Sequence, residues 1–535
     1  MAMIMRRKEM HMTKMKKIAG ILLAGAIIPI FIGGCNSSSS TVDKGEGTKD
    51  VQGEVNTGEK KEDIVIAMSQ SLTTFDPIGA GSSSLQDQMV YRQIYARLFA
   101  TDENMQPVQE LADSYEKVSD TEYKFTILQG AKFSDGSEIT AQDVAYSLER
   151  AHQSEAFATL MSTVSTIEAT GDYEITITTT GPSPALLQAL AHPGASILPK
   201  AYVEEAQGGG DWNSPITSGR YTVDEHIVGV STKVVKNENY FRPDDAAQNN
   251  SLTFLNVAED STRTILVQTG EADISSVFST ADYNVVESDE KVTLHEKAGT
   301  TIQYIGFDVT QEPFDNELVR QAVAYGLDRE GIMSVATEGL GQVSYTVIPP
   351  STLGHLDDNP GAYEYNIEKA KELLAEGGYE NGFETTIVVF SDTGKTIATV
   401  AQGYLDQIGI KAKVEQYDTS VRMDMFANHQ CPMFSAQWGA LADAELVLPR
   451  LFTQGAAYNW SHYNNDEVNN LLQKARETED SNERASIYAE AVAIIDKDAP
   501  WVPVYVPNAY ALANANLQGV TLDGEGLMNL HALHY

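Results

Sequence analysis

Cysteine is scarce in this chain, which contains only Cys35 and Cys431 among 535 residues. A disulfide framework is therefore excluded as the source of stability, and if Cys35 is modified, no intramolecular disulfide can form. A chain of this length is long enough to bury a large apolar core and to form more than one domain. The sequence thus indicates a large globular protein that is stabilised by its core.

Basic residues are also few. The chain has 37 Lys and Arg residues against 75 Asp and Glu residues, which gives a formal net charge of −38. Nucleic acids are bound through basic patches that neutralise phosphates, so this composition argues against nucleic acid as a partner. It equally disfavours direct contact with an anionic membrane surface. We attribute the acidic charge to solubility.

Catalytic motifs are missing from the sequence. No His-Glu-x-x-His, Gly-x-Ser-x-Gly or Cys-x-x-Cys pattern occurs, although these patterns mark common hydrolases, metalloenzymes and redox proteins. His192, His429 and His462 share no spacing typical of metal ligands, and we interpret them as separate structural or surface residues. The sequence therefore argues against an enzyme, and it predicts neither a cofactor nor a bound metal.

The chain begins with the features of an export signal. Six basic residues precede an uncharged apolar run from Ile18 to Ile32, and this arrangement is typical of a secretory signal. The run is too short to cross a bilayer comfortably, because a spanning helix needs about 20 apolar residues. Ile32-Gly33-Gly34-Cys35 resembles the bacterial lipobox, in which the Cys is diacylated and becomes the mature N-terminus. We expect residues 1–34 to be a lipoprotein signal peptide; an ordinary cleaved signal or an uncleaved membrane anchor is the alternative.

Two segments of different composition follow Cys35. Residues 35–63 are rich in Ser, Gly, Thr, Lys and Glu, which predicts a flexible tether. Order begins with the apolar run 64–68, which suits a buried strand. Alternating runs such as 174–178 predict further strands, whereas helical spacing over 318–336 predicts a helix. Interspersed strands and helices indicate an α/β protein.

Several segments occur along the chain in an order that is typical of one family. They include Phe75-Asp76-Pro77, Ser134-Asp135-Gly136-Ser137, Gln268-Thr269-Gly270-Glu271-Ala272-Asp273-Ile274, Val319-Arg320-Gln321-Ala322-Val323 and Asp498-Ala499-Pro500-Trp501-Val502-Pro503. In their joint order and spacing they resemble the peptide/nickel class of extracellular solute-binding proteins. These proteins are the substrate-binding subunits of oligopeptide-type ABC importers. The resemblance runs from about Ile64 to the C-terminus.

The resemblance implies a fold and a division into domains. It implies two α/β lobes of the hinged, class II periplasmic-binding-protein type, with an extra α/β domain in the first half. Lobe I is expected in three pieces, 64–100, 215–298 and 500–535. The extra domain II is expected at 101–214, and lobe III at 299–499.

The resemblance also implies a function. The lobes close over a ligand in the cleft between them, and the loaded form docks on the transmembrane subunits of an ABC permease. We expect the ligand to be a short peptide. The alternatives are nickel, a metal chelate or another small polar solute in the same cleft, or a peptide sensor that does not import. We expect a monomer that is anchored through Cys35 to the outer face of the cytoplasmic membrane of a Gram-positive-type cell.

One segment of lobe III carries the expected ligand contacts. In peptide-binding members of the class, a Trp is followed three residues later by an Asp that pairs with the α-ammonium of the peptide. Trp438 matches the Trp, but Leu441 stands three residues later, and the nearest carboxylates are Asp443 and Glu445. A cation that leaves water needs a carboxylate partner. Either Asp443 takes this role in a longer loop, or the ligand lacks a buried amine.

Further contacts are implied at other positions. Trp438-Gly439-Ala440 also resembles the corresponding segment of nickel-type members, and we expect it to line the cleft. Lys395 stands near the position of an Arg in a dipeptide-type member, so it is a candidate for the carboxylate of the ligand; an ordinary surface lysine is the alternative. Gln70 and Ser71 follow the first strand and are expected to offer neutral hydrogen-bonding groups on the hinge side.

Overall fold

The computed structural model describes residues 61–535 apart from 81, 83, 155–156, 209–211, 357–362 and 440. The expected signal peptide, the expected lipidation of Cys35, nearly all of the expected tether and the expected contact at Ala440 lie outside these residues. Within the described part of the chain, no helix combines the length and the apolar character that a membrane crossing needs.

The chain alternates between strands and helices along its whole described length. The strands are β1 (Asp63–Met68), β2 (Phe99–Thr101), β3 (Pro107–Gln109), β4 (Ala112–Ser119), β5 (Glu122–Ile127), β6 (Val164–Ala169), β7 (Glu174–Thr179), β8 (Tyr221–Ile227), β9 (Ser231–Lys236), β10 (Ser251–Asn256), β11 (Ile274–Ser275), β12 (Val292–Lys297), β13 (Thr301–Phe307), β14 (Gln342–Val343), β15 (Phe383–Val389), β16 (Ile410–Gln416), β17 (Met433–Gly439), β18 (Trp501–Val506) and β19 (Ala509–Asn514). The helices are α1 (Leu85–Ile94), α2 (Ala141–His152), α3 (Leu186–Ala191), α4 (Lys200–Gln207), α5 (Asp260–Thr269), α6 (Tyr283–Val286), α7 (Glu317–Gly326), α8 (Arg329–Thr337), α9 (Ile367–Glu376), α10 (Asp392–Gln407), α11 (Arg422–Ala427), α12 (Leu448–Phe452), α13 (Asp466–Arg476) and α14 (Ser481–Asp498). The predicted α/β class is confirmed.

Lobe I is built on a seven-stranded sheet with the order β12-β19-β11-β1-β10-β9-β8. The central strand β1 pairs in parallel with β10 and with β11. Ile64 and Ile66 are fully buried in the core on one face, and Ala67 is fully buried in the core on the other. A strand that is buried on both faces must be apolar throughout, which explains the unbroken apolar run from which β1 was predicted.

Domain II contains a four-stranded antiparallel sheet with the order β4-β5-β7-β6 and a separate hairpin of β2 and β3. Helix α2 packs against β6 and β7 of this sheet, and its apolar face contributes Val144 and Leu148 to the core. The helix begins at Thr140, whose backbone N–H donates to the carboxylate of Asp143 at 3.1 Å. A carboxylate three residues after the cap satisfies a backbone donor that the first turn leaves free, so the local sequence fixes where α2 begins.

Lobe III is built on a six-stranded sheet with the order β14-β18-β13-β17-β15-β16. Ile302 and Tyr304 of β13 belong to the core on one face, whereas Ile305 and Phe307 belong to the core on the other. Helices therefore cover both faces of this sheet, as expected for a layered α/β lobe. The single helix predicted over 318–336 is two helices, α7 and α8, because the Asp328 side chain caps α8 by accepting from the Gly331 N–H at 3.0 Å.

The chain crosses between the two large sheets twice. The first crossing is at 298–300, between β12 and β13, and the second is at 507–508, between β18 and β19. The boundary expected at 298/299 falls within the first crossing, and the division into domains stays a prediction. The second crossing lies after the expected boundary at 500, because β18 is a strand of lobe III. Two adjacent crossings of this kind form a hinge.

Candidate ligand-binding site

The strand directions of lobe I place Gln70 and Ser71 at the hinge end of its sheet. Strand β12 runs toward the hinge, and Lys297 at its end pairs with Ala509 at the start of β19. Strand β11 is antiparallel to β19, and β1 is parallel to β11. Strand β1 therefore also ends at the hinge end, and Gln70 and Ser71 follow directly after it.

The same relationship holds in lobe III. Thr301 is the first residue after the hinge crossing, and it pairs with Gly439, the last residue of β17. Trp438 pairs with the next residue, Ile302. Trp438 and Gly439 therefore lie at the hinge end of the lobe III sheet. The fold brings the predicted contacts of lobe I and of lobe III to the two sheet edges that adjoin the crossings.

Neutral hydrogen-bonding groups cluster at the lobe I edge. Gln70 is exposed, and its Nε2 donates to Oε1 of Gln86 on α1 at 3.2 Å. The Nε2 of Gln86 in turn donates to Oγ of Ser69 at 2.9 Å. Ser71 is partly exposed beside this chain of hydrogen bonds. These groups carry no charge, so they can bind the polar main chain of a ligand without selecting its charge.

The aromatic edge of lobe III carries a guanidinium group. The ring of Trp438 lies 5.1 Å from the ring of Tyr458, centroid to centroid. The Cζ atom of Arg450 on α12 lies 5.4 Å from the Trp438 centroid and 5.2 Å from the Tyr458 centroid. Such stacking is a cation–π interaction, which orients a guanidinium group, and Nη1 of Arg450 also donates to the Leu446 carbonyl oxygen at 3.5 Å. We call Trp438, Tyr458 and Arg450 the aromatic–arginine cluster.

Among the described residues, no acid balances the charge of Arg450. No carboxylate of the described residues lies within 4.0 Å of its guanidinium nitrogens. Burial lowers the pKa of Arg450, which reflects the cost of holding this cation away from water. Sequence reasoning missed Arg450, although a lone arginine in the apolar stretch Leu448-Pro449-Arg450-Leu451-Phe452 is an unusual feature. The cluster therefore offers a partly desolvated cation to an anionic group.

Asp443 and Glu445, the predicted acidic contacts, are buried and paired inside lobe III. Asp443 Oδ2 lies 2.8 Å from Arg484 Nη1. Glu445 accepts from Arg476 Nε at 2.6 Å and from the Tyr488 hydroxyl at 2.8 Å. Burial raises the pKa of Glu445, and the charge of Arg476 opposes that shift. The role of Asp443 as an amine anchor stays a prediction, and any such role must compete with Arg484.

A cavity of about 260 Å³ lies between domain II and lobe III. Its lining includes Tyr115, Tyr123, Ser183 and Leu187 of domain II, and Arg476 and Arg484 of lobe III. The arginine partners of Asp443 and Glu445 thus form part of the cavity wall. At its rim, the ammonium group of Lys117 on β4 contacts the carboxylate of Glu479 in lobe III. Domain II and lobe III therefore meet through a charged contact next to an open space.

Lys395 lies at the same edge of lobe III as Trp438. Strand β15 is parallel to β17, so α10, which begins just after β15, has its first turn at the hinge end of the sheet. The Ser391 hydroxyl caps this turn by accepting from the Gly394 N–H at 3.0 Å. Lys395 is exposed on the turn. Its position is compatible with a contact to a bound anion and equally with an ordinary surface lysine.

The interpretation of the histidines as separate residues is wrong for two of them. The rings of His429 and His462 lie 4.1 Å apart, centroid to centroid, and Nδ1 of His429 lies 2.7 Å from Oδ2 of Asp308. No sequence spacing indicates this group, because its members come from three separate loops. His192, in domain II, is not part of it.

Comparison with known proteins identifies the family. The family model for bacterial extracellular solute-binding proteins, family 5 (middle region), matches residues 106–460. The glutathione-binding protein GsiB of Escherichia coli strain K12 is 31% identical over 477 residues, which cover 85% of this chain and 91% of that protein. The relatives are binding proteins and not enzymes.

Solved structures agree with this assignment. HbpA2 from Haemophilus parasuis superimposes with a TM-score of 0.79 at 25% identity, covering 88% of this chain and 99% of that one. The ABC transporter-associated periplasmic binding protein DppA from Helicobacter pylori, in complex with the peptide STSA, gives a TM-score of 0.76 at 26% identity, covering 89% and 98%. The two-lobe fold implied by the sequence is thereby confirmed. The chain belongs to the family 5 extracellular solute-binding proteins, the substrate-binding components of ABC importers.

Proposed function

We propose that the protein captures a short peptide between lobes I and III and delivers it to the transmembrane subunits of an ABC permease. The observation that carries the proposal is Arg450, a partly buried guanidinium group that is stacked on Trp438 and Tyr458 and has no acidic partner among the described residues. An unpaired buried cation is costly unless a bound anion balances it. Every peptide with a free C-terminus brings a carboxylate.

Glutathione is the first peptide to test. A relative that is 31% identical is named a glutathione-binding protein, and a structural neighbour at 26% identity is named in complex with a peptide. Glutathione carries two carboxylates and one ammonium group. In our proposal Arg450 binds one carboxylate and Lys395, on the exposed first turn of α10, binds the other. Charge-assisted hydrogen bonds of this kind are among the strongest polar contacts in proteins.

The remaining predicted residues have complementary roles in this proposal. Gln70 and Ser71 bind the ligand main chain from lobe I, while Trp438 and Gly439 line the cleft on the side of lobe III. Asp443 receives the ammonium group of the ligand and exchanges part of its pairing with Arg484 for that contact, and Glu445 keeps the second arginine in place. Ala440 belongs to the same segment but lies outside the described residues.

Ligand binding works here by shifting an equilibrium between open and closed lobes. A ligand that contacts both lobes stabilises the closed form. The size of this effect is the difference between its free energies of binding to the closed form and to the open form. The contact between Lys117 of domain II and Glu479 of lobe III adds to the stability of the closed form. An exposed pair of this kind contributes only about 0.2–1 kcal/mol, so ligand contacts must supply most of the bias. The closed form then docks on the permease.

Isothermal titration calorimetry on the purified protein tests the proposal. The panel contains reduced glutathione, the isomeric tripeptide with an α-linked Glu, C-terminally amidated and N-acetylated forms of each, and a nickel–histidine chelate. We expect a peptide with free ends to bind best, the amidated form to bind about tenfold or more weakly, and the chelate to bind weakly. Tight binding of the chelate together with failure of every peptide would show that the cleft serves a metal complex instead.

Attachment to the membrane is a separate part of the proposal. We propose that Cys35 carries the lipid and that the tether lets a monomeric binding domain reach its permease on the outer face of the cytoplasmic membrane. Two acyl chains hold a protein stably where one does not. Metabolic labelling with a fatty acid should mark the wild-type protein and not Cys35→Ser. The Cys35→Ser protein should appear in the medium of a Gram-positive host; if it stays in the membrane fraction to the same extent, the anchor is not at Cys35.

A growth assay distinguishes an import function from a sensing function. Cells that depend on the peptide for an essential amino acid should grow when the protein and its permease are both present. Growth that continues without the protein, together with a lost transcriptional response to the peptide, would favour the sensor alternative.

A further inference from the structure

Three residues with metal-binding side chains meet at the end of lobe III that is remote from the hinge. Asp308 directly follows β13, His429 follows α11, and His462 precedes α13. Strand β13 begins beside the hinge at Thr301 and ends at Phe307. A strand of this length spans roughly 20 Å, so Asp308 lies at the opposite end of β13 from Ile302, the strand partner of Trp438. Trp460 stands between the two features, with its ring 6.2 Å from that of Trp438, centroid to centroid. The group is a separate feature from the proposed peptide site.

The three side chains are close enough to bind one ion. One ligand atom from each of Asp308, His429 and His462 lies within 4.8 Å of the other two. A tetrahedral ion with bonds of about 2.0–2.2 Å needs its ligand atoms about 3.4 Å apart. Small side-chain rotations close that difference. Nδ1 of His429 and Oδ2 of Asp308 already lie 2.7 Å apart, and the ion replaces the proton that they share.

Hydrogen bonds around the group hold its members in place. Oδ1 of the buried Asp308 accepts from the Thr310 N–H at 3.1 Å and from the Thr310 hydroxyl at 2.6 Å, which leaves Oδ2 for the ion. Nε2 of His462 lies 3.1 Å from the Phe426 carbonyl oxygen. A carbonyl only accepts, so Nε2 must carry the proton and Nδ1 is free to bind a metal. Metal-binding histidines are usually oriented by such a second hydrogen bond.

The backbone at both histidines is held in an unusual conformation. His429 has φ of 55° and His462 has φ of 52°, in the left-handed region. Among the described residues other than glycine, only Met105, Glu338 and Ala499 share a positive φ. The conformation costs about 1–2 kcal/mol per residue, and such strain concentrates at functional sites. Two of the few strained residues thus face each other in the group.

An open space adjoins the histidines. A cavity of about 420 Å³ is lined by His429, His462 and aromatic residues that include Phe426, Trp460 and Tyr463. Sites in which a protein supplies three ligands keep a fourth position for water or a small ligand. The cavity provides room for that fourth ligand.

We propose that Asp308, His429 and His462 bind one divalent transition-metal ion, with the fourth position open to this cavity. Two imidazoles and one carboxylate suit Zn²⁺, Ni²⁺ or Co²⁺ and do not suit the all-oxygen preference of Ca²⁺ or Mg²⁺. The ion joins the end of β13 to the loops after α11 and before α13. Bound metal therefore stabilises lobe III without entering the cleft.

Calorimetry with Zn²⁺ alone tests the proposal on the purified protein. The test variants are His429→Asn and His462→Asn, since Asn tolerates the left-handed conformation but is a poor ligand for Zn²⁺. The matched control is His295→Asn, on β12 of lobe I. We expect one Zn²⁺ per wild-type chain, binding about tenfold or more weaker in each test variant, and unchanged binding in the control. Wild-type binding no tighter than that of the His429→Asn/His462→Asn double variant overturns the proposal.

Two further measurements distinguish this site from a thiol site and from nonspecific metal binding. Cys431 is buried close to Asp308, so Cys431→Ser should bind Zn²⁺ as the wild type does; loss of binding would make the thiol the ligand and refute the assignment. Zn²⁺ should raise the melting temperature of the wild type but not of the double variant, because a ligand that binds only the folded state stabilises it. Equal melting shifts in both proteins would contradict a site at these residues. Neither result depends on peptide binding.

Discussion

The α-carbon of Gly299 is packed against the carbonyl group of Pro507, so that a Cβ atom at position 299 would lie 1.9 Å from that oxygen. The two residues belong to the two crossings of the hinge, and both contact atoms are backbone atoms. No side chain can rotate away to make room. The hinge therefore requires glycine at 299 for reasons of space.

Substitution of Gly299 by Ala should force the two crossings apart. Overpacking of this kind costs about 1–3 kcal/mol, and we expect a comparable loss in the free energy of unfolding. We also expect a change in lobe closure, because the crossings set the angle between the sheets. Urea unfolding measures the first effect, and small-angle X-ray scattering with and without ligand measures the second.

Gly181→Ala is the matched control for the hinge variant. A Cβ at Gly181 meets no atom within 4 Å, so this substitution should leave both stability and scattering nearly unchanged. If Gly299→Ala behaves like Gly181→Ala, the contact with Pro507 does not constrain the hinge.

The pairing of Asp443 with Arg484 makes a second prediction. The side chains are only 6% and 8% exposed, and removal of one partner of a buried ion pair costs about 3–5 kcal/mol because the other charge is left unbalanced. Asp443→Ala should therefore unfold at a markedly lower urea concentration than the wild type. The double variant Asp443→Ala/Arg484→Met should recover much of this loss, since no unpaired charge remains.

Another substitution at Asp443 reports on the proposed amine contact. If Asp443 binds the ammonium group of a peptide, Asp443→Asn should weaken the free peptide about tenfold or more and leave the N-acetylated peptide unchanged. Equal affinity of wild type and Asp443→Asn for the free peptide removes Asp443 from the site. The stability measurement and the binding measurement are independent, so a structural role and a ligand role can be told apart.

Arg450 supplies a third prediction. Arg450→Gln should weaken ligands with a free C-terminal carboxylate about tenfold or more, because a hydrogen bond to a charged group contributes about 1.5–3 kcal/mol. The affinity for the amidated ligand should change little. Calorimetry of both ligands with both proteins gives the coupling between the guanidinium group and the carboxylate.

Arg422→Gln is the control for Arg450→Gln. The Cζ atom of Arg422 lies 5.2 Å from the ring centroid of Trp460, so it is an arginine in a similar stack in the same lobe. Arg422→Gln should leave the affinity for both ligands unchanged. An equal loss in the two variants would mean that a general change of charge, and not a contact at Arg450, is responsible.

Local sequence patterns predicted the elements of this fold well. The apolar run 64–68 predicted β1 because a strand buried on both faces must be apolar throughout. The capping pair of Thr140 and Asp143 sets the start of α2 because it acts within one turn. The expected boundary at 500 lies before the second crossing, because 501–506 form β18 of lobe III. Pro503 lies inside β18, opposite Tyr304, where the register of the β13–β18 pair shifts. A proline is tolerated at such an irregularity because it has no N–H to donate.

Contacts between distant parts of the chain account for what the sequence could not predict. Trp438 was indicated by a local motif, but its stacking with Arg450 and Tyr458 depends on how α12 and the following loop fold back on β17. The pairing of Asp443 with Arg484 depends on the packing of α14. No periodicity in the sequence carries such information, because periodicity reports which face of an element is buried and not what lies opposite.

The partly buried ring of His192 makes the stability of the protein depend on pH. Burial, together with the positive charges of Arg92, Arg97 and Arg450, lowers the pKa of His192 to about 3 in the folded protein, against about 6.5 for an unperturbed histidine. Its Nδ1 accepts a hydrogen bond from the Gly194 N–H at 3.0 Å, which also requires the neutral ring.

Proton linkage determines whether stability rises or falls as the pH is lowered. Between pH 6.5 and pH 3 the unfolded chain binds a proton at position 192 that the folded protein does not bind, so stability falls as the pH is lowered through this range. One proton corresponds to a slope of at most about 1.4 kcal/mol per pH unit.

His192→Gln removes the titrating ring and keeps a hydrogen-bond acceptor. The free energy of unfolding of the wild type should therefore fall more steeply than that of His192→Gln between pH 6.5 and pH 4, as measured by urea titration at each pH. Parallel curves for the two proteins would show that folding does not lower the pKa of His192, in which case the ring is protonated below that pKa and the hydrogen bond from Gly194 cannot persist there.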